Sequence, residues 1–143
     1  MMEWQVGDQE RIIVSRELKR GLSRARKAAE SYAEDPERTG RLLEEAQRKA
    51  ERRRGMFGSL WEEFSTALRL LRSWRRRRYT NVPWRTVVAL LGALIYFVNP
   101  LDVVPDALPI VGYLDDATIL SWVLHSVRGD LRRFRQWEEA AAD

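Results

Sequence analysis

The sequence predicts an all-α protein, a bundle of four to five helices with a proline- and aspartate-rich corner between the last two. Three observations predict it. Apolar residues recur at intervals of three and four, the period of an amphipathic helix. Prolines, glycines and Asn-Pro or Asp-Pro pairs stand between these segments, where helices end. A chain of 143 residues with 45% apolar residues can also form one domain with a hydrophobic core.

The first three predicted helices make up a basic amphipathic region, residues 1–80. A long apolar stripe marks residues 9–34, and Pro36 ends that helix because proline disfavours helical backbone at the residue before it. Residues 37–54 carry a thinner apolar face, and residues 59–78 carry a stronger one. These stripes predict that the first helix packs against the next two, or against a second copy of the chain.

The last two predicted helices form a helix–acidic loop–helix module, residues 81–143. The first of them covers residues 84–98, of which thirteen residues without a charge begin at Thr86. Residues 99–116 follow with three prolines, four aspartates and no basic residue, and they form the predicted corner. The last helix is predicted over residues 115–137, on an apolar stripe with the helical period.

The charge is unevenly distributed along the chain. Residues 1–83 hold 20 Lys and Arg against 13 Asp and Glu, whereas the remaining residues hold 5 against 8. A basic region indicates an anionic partner such as a membrane face, nucleic acid or an acidic protein. The absence of cysteine excludes disulfides and thiolate chemistry, and Ser-His-Asp catalysis would have to rest on His125 alone. The sequence therefore favours a non-enzymatic module, and we expect no secretory signal peptide.

The uncharged run leaves three relationships to a membrane open. It reaches about 20 Å, against about 30 Å of hydrocarbon, which favours a buried core helix. Arginines precede the apolar helix, at positions 75–78, and recur from Arg128 to Arg135, with none in the loop between. This pattern is instead typical of a membrane-embedded hairpin with both ends cytoplasmic. A peripheral protein on the cytoplasmic side of the cell membrane would reconcile both patterns. The alternative is a soluble, cytoplasmic helical domain with a divalent-metal or regulatory site in the acidic loop.

The acidic corner has a structural and a chemical interpretation. Its carboxylates can cap helix N-termini and short turns, which is the interpretation we favour. Clustered carboxylates are also the ligands that Mg²⁺ or Ca²⁺ prefers, although their spacing matches no standard calcium loop. A paired-carboxylate hydrolase is the third alternative. The four candidates are Asp102, Asp106, Asp115 and Asp116. No other cofactor is expected.

The corner and its flanks carry a long, irregular motif. A tyrosine on an apolar helix is followed by Pro-apolar-Asp, Pro-Asp, Pro, Gly and an Asp-Asp pair that opens a helix. Its residues are Tyr96, Pro100, Asp102, Pro105, Asp106, Pro109, Gly112, Asp115 and Asp116. Over residues 82–127 the sequence resembles the YkvA-like family, a bacterial domain of unknown function. Members of this family are small membrane-associated proteins, and a similar module occurs in some membrane-anchored RING ubiquitin ligases. The resemblance therefore implies an association with membranes, and it implies no reaction.

A run of four arginines ends the third predicted helix. Arg75, Arg76, Arg77 and Arg78 suit a helix C-terminus, where cations complement the helix dipole. They are also candidates for contact with anionic lipid headgroups or other phosphates. Nucleic acid is the weaker interpretation because the sequence shows neither stacking aromatics interleaved with basic residues nor a helix-turn-helix pattern.

Overall fold

The computed structural model describes residues 23–98 and 116–142, and within these residues it is helical with short turns and contains no strand. The all-α prediction is confirmed. The helices are α1 over residues 23–33, α2 Pro36–Arg52, α3 Arg54–Phe57, α4 Trp61–Arg75, α5 Trp84–Val98, α6 Asp116–Ser126 and α7 Arg128–Ala142. A 3₁₀ turn, Gly58–Leu60, joins α3 to α4.

The predicted helix boundaries are confirmed for α5 and are correct to within a few residues for α2 and α4. The first predicted helix is observed over residues 23–33, and residues 9–22 lie outside the described part of the chain. The prediction of one continuous last helix was wrong, because a turn at Val127 divides it and α7 continues to Ala142. The Ser126 hydroxyl donates to the Val123 carbonyl at 2.7 Å, a side-chain bond that bends helices, and Gly129 follows.

A capped turn fixes α1 against α2. The Asp35 carboxylate accepts from the backbone amides of Glu37 and Arg38, and Pro36 occupies the first helical position, where its missing N–H is not needed. The Thr39 hydroxyl donates to the Tyr32 carbonyl at 2.5 Å, across the junction. The two helices are therefore tied together by local hydrogen bonds as well as by packing.

Helix α5 is the centre of the hydrophobic core. It packs mainly against α2 and α6. Helix α1 also reaches it, because a Cβ built on Gly92 would lie 3.8 Å from both the Ala25 carbonyl oxygen and the Ala29 Cβ. The buried side chains of α5 are those of Thr86, Val87, Val88, Leu90, Leu91, Ala93, Leu94, Ile95, Tyr96 and Phe97. The thirteen-residue uncharged run is thus covered by other parts of the same chain.

Helices α4 and α5 run antiparallel, with aromatic contacts at both ends. Phe64, near the start of α4, lies 5.9 Å from Phe97 near the end of α5. Trp74, near the end of α4, lies 6.3 Å from Trp84 at the start of α5. Helix α7 packs against α4. Residues before and after position 80 therefore contribute to one hydrophobic core.

Candidate functional site

The structure describes two residues of the predicted acidic-corner site. Tyr96 lies on α5 and is buried, and Asp116 is the first residue of α6. Pro100, Asp102, Pro105, Asp106, Pro109, Gly112 and Asp115 lie outside the described residues. Within the described ranges no three metal-ligating side chains are grouped so that they could hold an ion. The Mg²⁺ or Ca²⁺ site at the four aspartates therefore stays a prediction.

A lysine from α2 lies at the end of α5 from which the acidic segment departs. The Lys49 ammonium donates to the Phe97 carbonyl at 2.5 Å and stands 4.9 Å from the centre of the Phe97 ring. A cation is favourable there because the carbonyl end of a helix carries partial negative charge. Sequence reasoning missed Lys49, since no local pattern connects it to a helix end 48 positions away.

The four predicted arginines divide into one packing residue and three exposed residues. The Arg75 guanidinium donates from Nε to the Pro36 carbonyl at 2.6 Å and lies against Gly40 of α2. Arg76, Arg77 and Arg78 are exposed beyond the end of α4. Only these three are placed where an outside anion can reach them without displacing a helix contact.

A left-handed residue in this run ends α4. Arg77 has φ of 60°, and the Arg78 amide donates to the Ser73 carbonyl at 2.9 Å while the Arg77 amide donates to the Trp74 carbonyl at 3.0 Å. These two bonds form the reversal known as a Schellman motif, which satisfies carbonyls that the helix leaves free. The chain consequently turns away from α4 with three guanidinium groups on the turn.

More arginines meet at the same end of the bundle. Arg85 is exposed in the first turn of α5. The Asp130 carboxylate of α7 accepts from the Thr86 hydroxyl at 2.5 Å and also pairs with Arg133. The beginning of α7 therefore lies beside the beginning of α5. We call the arginines gathered here the basic end; they are Arg76, Arg77, Arg78, Arg85, Arg128, Arg132 and Arg133.

The charges at the basic end alter the titration of their neighbours. Burial and, secondarily, repulsion from Arg76 lower the pKa of the Arg72 guanidinium. Burial raises the pKa of the Tyr79 hydroxyl, and Arg133 opposes that rise because a nearby cation favours the phenolate. Arg76 therefore lies close to Arg72 along the chain, and Arg133 of α7 lies close to Tyr79 after the end of α4.

Tryptophans are exposed beside Arg85 and on α6. Trp84, whose neighbour is Arg85, is 47% exposed although its ring also contacts Trp74. Trp122 on α6 is 64% exposed, the largest value among the exposed large apolar residues in the described chain. Among the described helices, none is long and apolar enough to cross a membrane. The arrangement offers a surface that combines positive charge with amphipathic aromatic rings.

Comparison with known proteins identifies relatives of the central helices. The family "Protein of unknown function (DUF1232)" matches residues 86–122, from α5 into α6. The "Uncharacterized membrane protein YkvA" of Bacillus subtilis is 30% identical over 76 residues, which are 53% of this chain and 72% of YkvA. No solved structure matches the chain significantly.

Two ubiquitin ligases are also similar over part of their length. The "E3 ubiquitin-protein ligase RNF170" of Xenopus laevis is 37% identical over 99 residues, 64% of this chain and 38% of the ligase. The protein of the same name from Xenopus tropicalis is 49% identical over 41 residues, 28% of this chain and 16% of the ligase. This chain therefore spans well under half the length of these ligases.

The similarity is longer than the module that the motif defines. An alignment covering 64% of a 143-residue chain takes in about 91 of its residues, and a stretch of about 91 residues must include α4 wherever it begins. The 76 residues matched to YkvA likewise exceed the 63 residues of the predicted module. Part of the basic region is thus similar in the relatives, in agreement with its packing on α5.

Proposed function

This chain belongs to the YkvA-like DUF1232 family, and from that membership and the geometry of its basic end we propose that it is a helical, non-enzymatic module that binds the anionic cytoplasmic face of a membrane. The YkvA relative is named a membrane protein. The proposal places this chain at the membrane surface through its folded exterior.

The observation that carries the proposal is a set of exposed arginines without carboxylate partners. Within the described residues, Arg76, Arg77, Arg78 and Arg85 form no ion pair, whereas Arg69 pairs with Glu138 and Arg26 pairs with Glu30. Clustered exposed cations repel one another, so an anionic partner that approaches them gains interaction energy. Each arginine near an anionic leaflet contributes about 1 kcal/mol.

Peripheral attachment is supported over an embedded hairpin by the packing of α5. Its apolar side chains are covered by α2 and α6, so placing them in lipid would require the bundle to open. The basic end also has Trp84, and tryptophan rings favour the level of the headgroups. Anionic lipids and the attraction of basic segments are characteristic of the cytoplasmic leaflet, which supports that side.

Vesicle sedimentation tests the proposal. The chain is expected to sediment with vesicles of phosphatidylcholine and phosphatidylglycerol, and to stay in the supernatant with phosphatidylcholine alone. The triple variant Arg76→Gln, Arg78→Gln, Arg85→Gln should bind on the order of 100-fold more weakly, since three contacts of about 1 kcal/mol each are lost. Raising the salt concentration should weaken the wild-type chain more than this variant.

A second triple variant is the matched control. Arg41→Gln, Arg48→Gln, Arg52→Gln removes the same charge from the outward face of α2, where Glu44, Glu45 and Glu51 also lie exposed. It should retain most of the binding. Equal loss in both triple variants would show that binding depends only on net charge, and equal sedimentation with neutral and anionic vesicles would exclude an electrostatic site.

A further inference from the structure

Helix α6 carries a large apolar side chain, Trp122, that is exposed to solvent. Leu120, Val123 and Leu124 are buried against the core, whereas Trp122 points away from them and is 64% exposed. The segment is apolar over much of its circumference, which is unusual for a helix with a solvent-facing side. Trp122 is therefore a large aromatic side chain that packing among the described helices does not account for.

The neighbours of Trp122 along the helix are polar or basic. His125 and Ser126 are exposed one turn later, and an Arg128 Nη atom lies 3.1 Å from Nδ1 of the His125 ring. Arg132 is exposed a further turn along. Positions three and four apart share a helix face, so His125 and Ser126 lie beside Trp122. Arg128 joins this face through its contact with His125.

Backbone hydrogen bonds of the α-helical type continue across the turn at Val127. The Val127 amide donates to the Val123 carbonyl and the Leu131 amide donates to the Val127 carbonyl, both at 3.1 Å, which preserves the helical bonding on either side. The carboxylate in this segment, Asp130, is held by Thr86 and Arg133 and is only 12% exposed. The exposed residues from Trp122 to Arg132 thus carry positive and no negative charge.

These exposed residues are also continuous with the basic end. The contact between Thr86 and Asp130 joins the start of α7 to the start of α5, so that Arg128 and Arg132 belong to the same end of the bundle as Arg85. An exposed tryptophan beside cations matches the chemistry of a lipid surface, in which phosphates lie above an apolar boundary. A protein partner would match this surface only if it also placed anionic groups above an apolar layer.

We propose that the outward side of α6 lies in the membrane surface, with the Trp122 ring inserted at the boundary between headgroups and acyl chains and with Arg128 and Arg132 at the lipid phosphates. This inference rests on the proposed function and adds the element that enters the lipid. It assigns α6 a role distinct from that of the arginine turn after α4, which acts by charge.

A single environment-sensitive label tests the insertion. The chain has no cysteine, so Trp122→Cys creates a unique thiol for an NBD fluorophore. On vesicles that contain phosphatidylglycerol, the label at position 122 should brighten, shift its emission to the blue and be quenched by lipids with a nitroxide on the acyl chain. The matched control is Ser59→Cys, an exposed site in the 3₁₀ turn at the opposite end of the bundle. Its label should remain in water.

The possible results separate this inference from the proposed function. If the labelled chain sediments with anionic vesicles but the label at position 122 stays accessible to aqueous iodide, the insertion is wrong and the attachment by charge stands. If the unlabelled wild-type chain does not sediment, both are wrong. If the label is shielded without vesicles and in proportion to protein concentration, a second copy covers α6 and the lipid assignment is wrong.

Binding of Trp122→Ala to anionic vesicles provides a readout without a label. Because the side chain is largely exposed, the variant should unfold at the same urea concentration as the wild type. Its vesicle affinity should fall roughly 10-fold, the loss expected when an inserted aromatic side chain no longer leaves water. An unchanged affinity, with unchanged stability, would overturn the insertion.

Discussion

Arg77 holds a backbone conformation that arginine rarely adopts. Its φ of 60° is the left-handed value that helix ends usually assign to glycine, because a Cβ there crowds the following carbonyl. The residue is exposed, so packing does not explain the choice of arginine. Strain of this kind at an exposed position is consistent with a side chain retained for an external contact.

Replacing Arg77 by glycine should therefore separate stability from binding. We expect Arg77→Gly to raise the free energy of unfolding by about 0.5–1 kcal/mol, since relief of strain exceeds the added flexibility of the unfolded chain. Its affinity for anionic vesicles should fall, because one cation is lost. Urea unfolding and vesicle sedimentation measure the two effects. Arg78→Gly is the control and should give no gain in stability; a gain as large there would show that Arg77 is not strained.

Single residues also show the limit of sequence reasoning. The cations after α4 were identifiable because they are consecutive, but nothing local distinguishes Arg75 from the three that follow it. The contact of Arg75 with Pro36 joins positions 39 apart. The contact of Lys49, on α2, with the Phe97 carbonyl at the end of α5 joins positions 48 apart. Such contacts depend on how the helices assemble, which a pattern of neighbouring residues does not contain.

At the scale of the helices, periodicity predicted the long helices and most of their boundaries, but it did not predict the short helix α3 or the 3₁₀ turn that follows it. It could not predict the division between α6 and α7. The buried stripe runs through Leu124, Val127 and Leu131 at the spacing of an uninterrupted helix, so the apolar pattern carries no sign of a break. A side-chain hydrogen bond from Ser126 to the Val123 carbonyl lies at the break, and apolar periodicity does not reflect such a short-range contact.

A polar contact joins the beginning of α7 to the beginning of α5. Thr86 is buried and donates to Asp130, whose carboxylate is also largely buried. Thr86→Val keeps the shape of the side chain but leaves that carboxylate with one donor fewer, so we expect it to cost about 1–3 kcal/mol of unfolding free energy. Equilibrium urea unfolding measures the change.

A double-mutant cycle supplies the control for this contact. In a chain that already carries Asp130→Ala, Thr86→Val should cost much less, because the acceptor is gone. Equal costs in the two backgrounds would show that Thr86 acts through packing alone, and the start of α7 would then be positioned by Phe134 and its aromatic neighbours.

At the scale of the whole molecule, the burial of the apolar run of α5 depends on how the helices assemble. Its composition suits a buried core and a lipid environment equally, so the sequence left both open. The answer depends on α2, whose thin apolar face of Leu42, Leu43, Ala46 and Ala50 is buried throughout. The small side chains of Ala46 and Ala50 allow α5 to approach α2 closely. The narrow apolar face of α2 is then covered by α5.

This mutual dependence predicts how the chain tolerates division. Residues 81–143 correspond to the predicted module, yet in the folded chain one side of α5 is covered by α2 and its aromatic ends by Phe64 and Trp74. Each large apolar side chain returned to water costs about 1.5–3 kcal/mol, and a domain of this size is stable by only about 5–15 kcal/mol. Losing α2 and α4 should therefore cost more than the total stability.

We accordingly expect the isolated fragment 81–143 to lack a cooperative thermal transition, and the full chain to unfold in one transition. For the full chain, the unfolding transitions measured by circular dichroism and by tryptophan fluorescence should coincide, as a single cooperative unit requires. Adding a separate fragment 1–80 should restore a transition, because the core needs both contributions. If fragment 81–143 melts cooperatively by itself, the two predicted parts are independent domains, and the similarity of the relatives across α4 would reflect something other than a shared core.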